Sequence, residues 1–210
     1  MPDKIIIAGA GIVGVSTGIW LRRICDAEVT IIDRLPPGEG TSHGNAGVLA
    51  ACSIAPVTAP GLVRKAPGML LNPDFPLFMR WGYLPKLLPW LFKYLSNAND
   101  ADTRRIATGL TDVVADTVDQ HKALVAQTDA ATWVTESDYS FAYANRAAFE
   151  ADAYTWGLRR DAGFEPILRD GDALRDLEPN LAPSIGLLAT MKDHGHIRDP
   201  GGYVKALAHV

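Results

Sequence analysis

The chain has 210 residues, of which 48% are hydrophobic and 21% charged, a balance typical of globular proteins and unlike that of disordered chains. Its formal net charge of -4, from 20 basic and 24 acidic residues, gives no support to a nucleic-acid-binding surface. Cys25 and Cys52 do not form a Cys-x-x-Cys pair, so the sequence predicts neither zinc nor a disulfide framework and favours a reducing, cytoplasmic setting.

The N-terminal segment predicts a strand, a glycine turn, a helix and a second strand. The β-branched run Lys4–Ala8 is typical of a strand buried on both faces of a parallel sheet. Glycines interrupt the apolar stretch that follows, so it predicts neither a signal peptide nor a membrane helix. A helix is predicted from Val15 to Ile24, and the second strand, Glu28 to Ile32, ends at Asp33.

The turn has the Gly-x-Gly-x-x-Gly spacing of a dinucleotide-binding motif. Gly9 permits a tight turn, Gly11 lets a diphosphate approach the backbone, and Gly14 lets the helix pack close to the strand. Asp33 can accept hydrogen bonds from ribose hydroxyls and disfavours the 2′-phosphate of NADP. A purely structural glycine turn is the alternative. Cofactor contacts are predicted at Gly9, Ala10, Gly11, Ile12, Val13, Gly14, Asp33 and Arg34.

This motif alone does not separate FAD from NAD, but the next segment does. An NAD domain would continue with a helix, whereas the sequence Leu-Pro-Pro-Gly at residues 35–38 breaks the chain. The stretch from Gly38 to Ala50 then follows, with four glycines and few large side chains. Such a loop predicts a backbone that another group approaches closely.

Residues 5–14, the pair Asp33-Arg34 and residues 41–49 together resemble the D-amino-acid oxidase-like family of FAD-dependent oxidoreductases, and within it the quinone-linked D-amino acid dehydrogenases. The resemblance implies that Thr41 and Ser42 contact the diphosphate. It also implies contacts to the flavin ring from Asn45, Ala46, Gly47, Val48 and Leu49. His43 lies one position before the histidine to which some relatives attach FAD, so non-covalent FAD is expected.

The segment from Phe75 to Asn97 is rich in aromatic residues, and its only charges are positive. Prolines interrupt it, so it does not predict a membrane-spanning helix. We expect it to pack in the core or to cover a domain. The alternative is an interfacial segment that lies on a membrane.

The remaining elements follow from periodicity and capping residues. His121 falls on the apolar face of the longest predicted helix and is interpreted as a hydrogen-bonded core histidine. His194 and His196 lack a third ligand, so no metal site is predicted. The predicted elements are a helix over 103–127, a strand over 139–143, a helix over 145–161, a strand over 163–168, a helix from 172 to about 178, a strand over 185–190, a turn at 193–196 and a helix from 203.

The predicted fold class is α/β, with an incomplete Rossmann-like FAD-binding βαβ unit and an α+β substrate domain. We expect residues 1–60 to belong to the FAD-binding domain and residues 61–210 to the substrate domain, with a return to the FAD domain near the C-terminus. One βαβ unit is fewer than a doubly wound sheet needs, and the resemblance implies longer relatives. The chain is therefore expected to be the N-terminal half of an enzyme.

The resemblance implies oxidation of the C–N bond of a D-amino acid or related amine, by hydride transfer to flavin N5. No catalytic residue can be identified. Two alternatives stay open: an NAD-linked dehydrogenase, which the loop at 38–49 argues against, and a truncated, non-catalytic fragment that acts as a folding or assembly partner. Expected partners are the amine substrate, a quinone acceptor, a membrane surface contacted through 75–97, and the remaining half of the enzyme or a second copy. The expected location is cytoplasmic, with peripheral contact to the inner face of the membrane.

Overall fold

The chain contains both helices and strands in a computed structural model that describes residues 3–25, 27–62, 68 and 80–210. The strands are β1 (Lys4–Ala8), β2 (Glu28–Ile32), β3 (Val48–Leu49), β4 (Val134–Tyr143), β5 (Ile167–Asp170) and β6 (Leu187–Ile197). The helices are α1 (Ile12–Cys25), α2 (Leu84–Ser96), α3 (Asp100–Val114), α4 (Thr117–Val125), α5 (Arg146–Glu150), α6 (Ala153–Asp161), α7 (Gly171–Leu177) and α8 (Pro200–Leu207), with short 3₁₀ helices at Trp81–Tyr83 and Asp129–Trp133. The predicted α/β class is confirmed.

The N-terminal βαβ unit forms with the element order that the sequence predicts. The burial of β1 on both faces is wrong, because each of its residues is exposed or half-buried and Ile6 is 70% exposed. Strands β1 and β2 are parallel, in a register that places Lys4 opposite Glu28. Parallel neighbours need a crossover connection, and α1 supplies it. Val15 and Ile19 are buried on the helix face predicted to turn inward, because they recur one helical turn apart.

A second sheet has the strand order β3-β6-β4, and β5 also pairs with β6. The strand predicted to end at Thr190 continues to Ile197, so the turn predicted at 193–196 is wrong. Asp193 adopts a left-handed φ of 61° within the strand. The strand continues beyond it because Gly195 pairs with Leu49 of β3, a partner distant in the sequence.

The long helix predicted over 103–127 is two helices, α3 and α4, separated at Ala115 and Asp116. Asn99 caps α3, as its position before the apolar repeat allows, because its side chain accepts a hydrogen bond from Asp102 N at 3.0 Å. Asp116 Oδ2 accepts a hydrogen bond from the Gln120 side chain at 2.8 Å. The backbone carbonyl of Asp116 accepts the first hydrogen bond of α4, from Gln120 N at 2.9 Å, and the side chain makes no cap hydrogen bond.

Caps also define two further helices. Asn145 begins α5 by accepting a hydrogen bond from Ala148 N at 2.9 Å, but a turn at residues 151–152 divides the helix predicted over 145–161 into α5 and α6. Asp199 begins α8 by accepting from Gly202 N at 3.1 Å, three residues earlier than the predicted start. The strand predicted over 163–168 begins later, at Ile167, and continues to Asp170 as β5, and the helix predicted from 172 is α7.

The chain divides into two compact units. Unit one comprises Met1–Ala51, Asp116–Phe141 and Thr190–Val210, and unit two comprises Cys52–Ala115 and Ala142–Ala189. The core of unit one joins α1, α4 and α8 around the residues Val15, Ile19, Leu49, Val118, Leu124, Val125, Ala130, Ile197, Tyr203, Val204 and Leu207.

Unit two has its own buried centre around Trp156, which is fully buried. The Trp156 indole donates to the Tyr143 hydroxyl at 2.9 Å, and that hydroxyl donates to Asp152 Oδ2 at 2.8 Å. Phe149 packs beside Trp156 with ring centroids 5.2 Å apart. These contacts satisfy the polar atoms of two large aromatic side chains, as burial requires.

Helix α2 has no buried residue. The core packing predicted for 75–97 is therefore not what the structure shows over α2, and residues 75–79 lie outside the described part of the chain. Trp81, Trp90 and Phe92 are each more than half exposed. Across the described residues, no helix combines the length and the apolar character that crossing a membrane requires.

Candidate functional site

The glycine turn between β1 and α1 has the geometry that its motif predicts. Gly9 has a φ of +116°, a backbone conformation that residues other than glycine rarely adopt. Its N–H donates to Ile32 O at 2.8 Å. A Cβ on Gly14 would overlap the carbonyl oxygen of Gly9. The packing role predicted for Gly14 is thus confirmed, because only a glycine lets α1 begin so close to the turn.

Asp33 holds the same turn from the end of β2. Its Oδ2 accepts from Ala10 N at 2.7 Å and its Oδ1 accepts from Leu35 N at 3.0 Å. These hydrogen bonds, with that from Ala10 the largest cause, lower the pKa of the carboxyl below its ordinary value. The carboxylate is exposed, and each oxygen has a second lone pair, so it can also accept hydrogen bonds from a ligand.

Ser42 connects the glycine-rich loop to the start of α1. Its Oγ accepts from Ile12 N at 3.1 Å, and the residue is only 4% exposed. The first N–H groups of a helix have no partner within the helix, so this hydroxyl acts as a cap from 30 residues away. The sequence shows the serine but gives no local signal for the cap, because capping residues are recognised immediately before a helix.

The four glycines of the loop fall into two classes. A Cβ on Gly38 would lie 2.6 Å from Gly201 O, and one on Gly47 would overlap Ile197 O. Glycine is therefore required at both positions because other parts of the protein pack against them. A Cβ on Gly40 or Gly44 would meet no atom within 4 Å. The loop therefore has glycine at its ends for the fold and an open backbone at its centre.

The end of the loop is set by a turn and a strand. Asn45 Oδ1 accepts from Gly47 N at 2.8 Å, and β3 then alternates outward and inward. Val48 is 46% exposed, whereas Leu49 is buried in the core of unit one. Of the two, the strand presents Val48 to the outside, while Leu49 serves packing.

Two concavities bring together residues predicted to bind a cofactor. A crevice of about 620 Å³ is bordered by Ala10, Asp33 and Leu35, together with the inner face of α1. A smaller cavity of about 140 Å³ is lined by the loop and by four core elements, namely by Ile12, Ser42, Asn45, Gly47, Val48, Leu49, His121, Ile197, Pro200, Tyr203 and Val204. Val13, Arg34, Thr41 and Ala46 are exposed.

His121 is the core histidine that the sequence predicts, and it also lines the smaller cavity. Its Nδ1 shares a hydrogen bond with the Tyr203 hydroxyl at 2.9 Å. Burial lowers the pKa of His121 below its ordinary value and raises that of Tyr203. The pair is therefore neutral near pH 7. No local pattern predicts that His121 and Tyr203 meet beside the loop, since they lie on different helices that are distant in the sequence.

The described residues contain no cluster of three or more His, Cys, Asp or Glu side chains that could hold a metal ion. His194 is almost fully buried, and its Nδ1 hydrogen-bonds to Lys192 O at 2.7 Å. Cys25 is exposed and Cys52 is buried, and the two do not form a disulfide.

The residues present fit a dinucleotide. The N-terminus of α1 places a positive dipole end beside Gly11, where an added Cβ would make only an ordinary contact with Ser42 Oγ at 3.5 Å. Gly40 and Gly44 leave the neighbouring backbone uncovered. A model of the family described as DAO, FAD dependent oxidoreductase, matches residues 4–210.

The chain belongs to this DAO family of FAD-dependent oxidoreductases. The family predicted from the sequence is confirmed, and the NAD alternative is not favoured. The D-amino-acid oxidase of Bradyrhizobium diazoefficiens is 37% identical over 214 aligned positions, which cover 100% of this chain and 50% of that protein. A protein of Ralstonia nicotianae named D-amino acid dehydrogenase 2 is 31% identical, covering 88% of this chain and 44% of its own length.

Solved DAO-like structures share the fold at lower identity. Glycine oxidase of Bacillus cereus aligns with a TM-score of 0.57 and 19% identity, covering 100% of this chain and 43% of that one. L-α-glycerophosphate oxidase of Mycoplasma pneumoniae, whose structure has FAD bound, aligns with a TM-score of 0.54 and 17% identity, covering 99% of this chain and 41% of that one. The chain thus spans about half the length of the curated relatives that it matches.

Proposed function

We propose that the chain forms the FAD-binding part of an oxidoreductase that oxidises the C–N bond of a D-amino acid or a related amine. The observation that carries the proposal is the uncovered backbone at Gly11, Gly40 and Gly44, beside the start of α1 and the carboxylate of Asp33. The names of the relatives, a D-amino-acid oxidase and a D-amino acid dehydrogenase, support the substrate class.

The residues of the chain have distinct parts in this proposal. The turn at Gly9–Gly14 would hold the diphosphate, because the positive end of the α1 dipole favours negative charge there. Asp33 accepts hydrogen bonds from the adenosine ribose, and Arg34 lies beside it. When bound, FAD supplies the acceptor for a hydride. Thr41 and Ser42 lie on the diphosphate side, and the ring contacts are Asn45, Ala46, Gly47, Val48 and Leu49.

We assign no general base or other catalytic residue in the described part of the chain. Holding an amine with its Cα–H directed at the ring supplies catalysis by orientation alone. The FAD of this proposal is non-covalent, because His43 lies one position before the histidine to which some relatives attach FAD. Residues 1–60 and the C-terminal return form the FAD-binding domain, and the rest of 61–210 belongs to the substrate domain.

Titration of the purified chain with FAD tests the proposal. Flavin fluorescence and the visible spectrum report binding, and anaerobic bleaching with a panel of D- and L-amino acids reports oxidation. Gly40→Ala adds a methyl group where the protein leaves open space, so it should weaken FAD binding by roughly tenfold or more without loss of stability. Gly109→Ala, inside α3 and equally uncrowded, is the matched control and should leave FAD binding unchanged.

Binding of NADH in place of FAD would overturn the cofactor assignment. Absence of binding to either cofactor would favour the non-catalytic fragment instead. FAD that remains bound after denaturation would contradict the non-covalent mode. Bleaching by L-amino acids alone would keep the cofactor but overturn the proposed substrate class.

A peripheral membrane contact is the second proposal, and the exposed aromatic residues of α2 and of the 3₁₀ helix directly before it carry it. Trp81, Trp90 and Phe92 are 60%, 56% and 69% exposed, although such side chains are normally buried. The helix carries Lys86 and Lys93 and no acidic residue. Aromatic rings with lysine on one amphipathic helix suit an anionic lipid surface, such as the inner face of a bacterial membrane, where a quinone acceptor is available.

Sedimentation with lipid vesicles tests this contact. Vesicles that contain anionic lipid should bind the chain, and Trp90→Ser with Phe92→Ser should reduce the bound fraction severalfold. Val113→Ser, which changes a side chain 73% exposed on α3, is the control and should bind as the wild type does. Equal binding of all three proteins, or no binding of any, would contradict the proposal.

A further inference from the structure

The segment from Ile197 to Lys205 touches the glycine-rich loop at both ends, although more than a hundred residues separate them in the sequence. At the far end of the loop, Ile197 N donates to Gly47 O at 2.7 Å, next to the pairing of β3 with β6. At the near end, the carbonyl oxygen of Gly201 approaches Gly38 so closely that a Cβ on Gly38 would lie 2.6 Å from it. The loop is thus held at its two ends.

An ion pair adds a third connection. The Lys205 ammonium lies against Glu39 Oε1, and this contact is the largest cause that lowers the pKa of the Glu39 carboxyl. Glu39 follows Gly38 directly and precedes Gly40, whose surroundings are open. The lysine therefore reaches the loop at the edge of its uncovered part.

Helix α8 is fixed on its other side by the core of unit one. Val204 and Leu207 are each 1% exposed and belong to the same apolar cluster as Val15 and Ile19 of α1. At the start of α1, Ser42 of the loop accepts the hydrogen bond from Ile12 N. One rigid helix therefore sets the position of the loop relative to the helix whose N-terminus faces the diphosphate.

We propose that Lys205 is a positioning residue for FAD binding: through Glu39 and the contact of Gly201 with Gly38, α8 holds the uncovered backbone at Gly40 and Gly44 in the conformation that accepts the cofactor. The proposal rests on the proposed function of the loop. Lys205 acts through Glu39 and does not itself contact the diphosphate. A preordered loop loses less conformational freedom when a ligand binds, so the pair should strengthen affinity.

The direction in which one substitution changes FAD affinity shows whether Lys205 positions the loop or attracts the diphosphate directly. Glu39→Gln releases the ammonium of Lys205. If Lys205 attracted the diphosphate directly, this change would tighten FAD binding, since the charge would no longer be compensated. If Lys205 positions the loop, Glu39→Gln and Lys205→Met should each weaken FAD binding by about two- to fivefold, the range of an exposed ion pair.

The exchanged pair completes the test. Glu39→Lys with Lys205→Glu restores the contact with reversed charges and should recover most of the lost affinity, whereas each reversal alone should not. Lys192 and Asp138 are the matched control, because their side chains are 52% and 36% exposed against 47% and 36% for Lys205 and Glu39. Lys192→Met should leave FAD affinity unchanged.

Isothermal titration with FAD and thermal unfolding of the FAD-free proteins give the two readouts. Tighter binding by Glu39→Gln, unchanged affinity in Lys205→Met, or failure of the exchanged pair to recover would overturn the positioning role. A lower unfolding temperature of the variants with unchanged FAD affinity would also overturn the positioning role. If the wild type itself does not bind FAD, the proposed function fails, which is a separate result from any difference among the variants.

Discussion

The Asp33 carboxylate at the end of β2 accepts the N–H of Ala10 at 2.7 Å, across the turn that separates β1 from α1. The same side chain accepts the N–H of Leu35. An acid at this position therefore orders the glycine turn, and its oxygens retain lone pairs that can accept further hydrogen bonds.

This relationship predicts a pH-dependent stability. Asp33→Asn keeps the shape of the side chain but removes the charge, so it should lower the unfolding temperature at pH 7. The pKa of Asp33 is depressed in the folded state. The contribution of Asp33 to the free energy of unfolding is therefore complete above the unfolded pKa of about 3.9. It is lost as the pH falls through the lower pKa of the folded state.

The wild type and Asp33→Asn should become equally stable only below about pH 4. Thermal unfolding of both proteins across a pH series measures this. Asp176→Asn, an exposed position of α7, is the control and should follow the wild type. A difference between Asp33→Asn and the wild type that does not change with pH would show that the carboxylate charge has no part in holding the turn.

Two glycines of the motif should respond to alanine in opposite ways. Gly14→Ala should destabilise the fold by about 1–3 kcal/mol, because the new methyl group overlaps the carbonyl of Gly9. Gly11→Ala meets only Ser42 Oγ at an ordinary 3.5 Å, so it should fold normally and lose FAD affinity. Urea unfolding and FAD titration separate the two effects. Normal FAD affinity in Gly11→Ala would place the diphosphate elsewhere.

Removal of the long-range cap should destabilise α1. Ser42→Ala leaves Ile12 N without its acceptor in a nearly buried position, so we expect a loss of about 0.5–2 kcal/mol in the free energy of unfolding. Hydrogen exchange at the first turn of α1 should accelerate in the same variant. Ser96→Ala, which removes an exposed hydroxyl at the end of α2, should change neither quantity.

His121 should give the fold an acid-sensitive component. Its pKa is lowered by burial in the folded state, so the unfolded chain takes up the proton first as the pH falls. Stability should decrease from the unfolded pKa of about 6.5 down to the folded value and then level off. His121→Gln should show less of this decrease in urea unfolding at pH 7.5 and 5.5. The exposed His209→Gln is the control.

Local patterns predicted the elements whose signals lie within a few residues. The glycine turn, the strands β1 and β2, and the helix start at Asn145 lie where glycine spacing, hydrophobic periodicity and a capping residue indicate. The break between α3 and α4 was not predicted, because the apolar repeat continues through Val113. That side chain is 73% exposed, so the repeat there does not mark a buried face.

The sequence by itself determined the family, the βαβ unit and the positions at which glycine leaves the backbone without a side chain. Each of these depends on residue type and on short spacing. The tertiary structure decided which of those glycines face the protein and which face open space. It also decided that Ser42 caps α1, that β6 continues to pair with β3, and that Lys205 meets Glu39. These contacts join residues 30 to 166 positions apart, and no local pattern specifies which distant backbone or charge a side chain will meet once the core has packed.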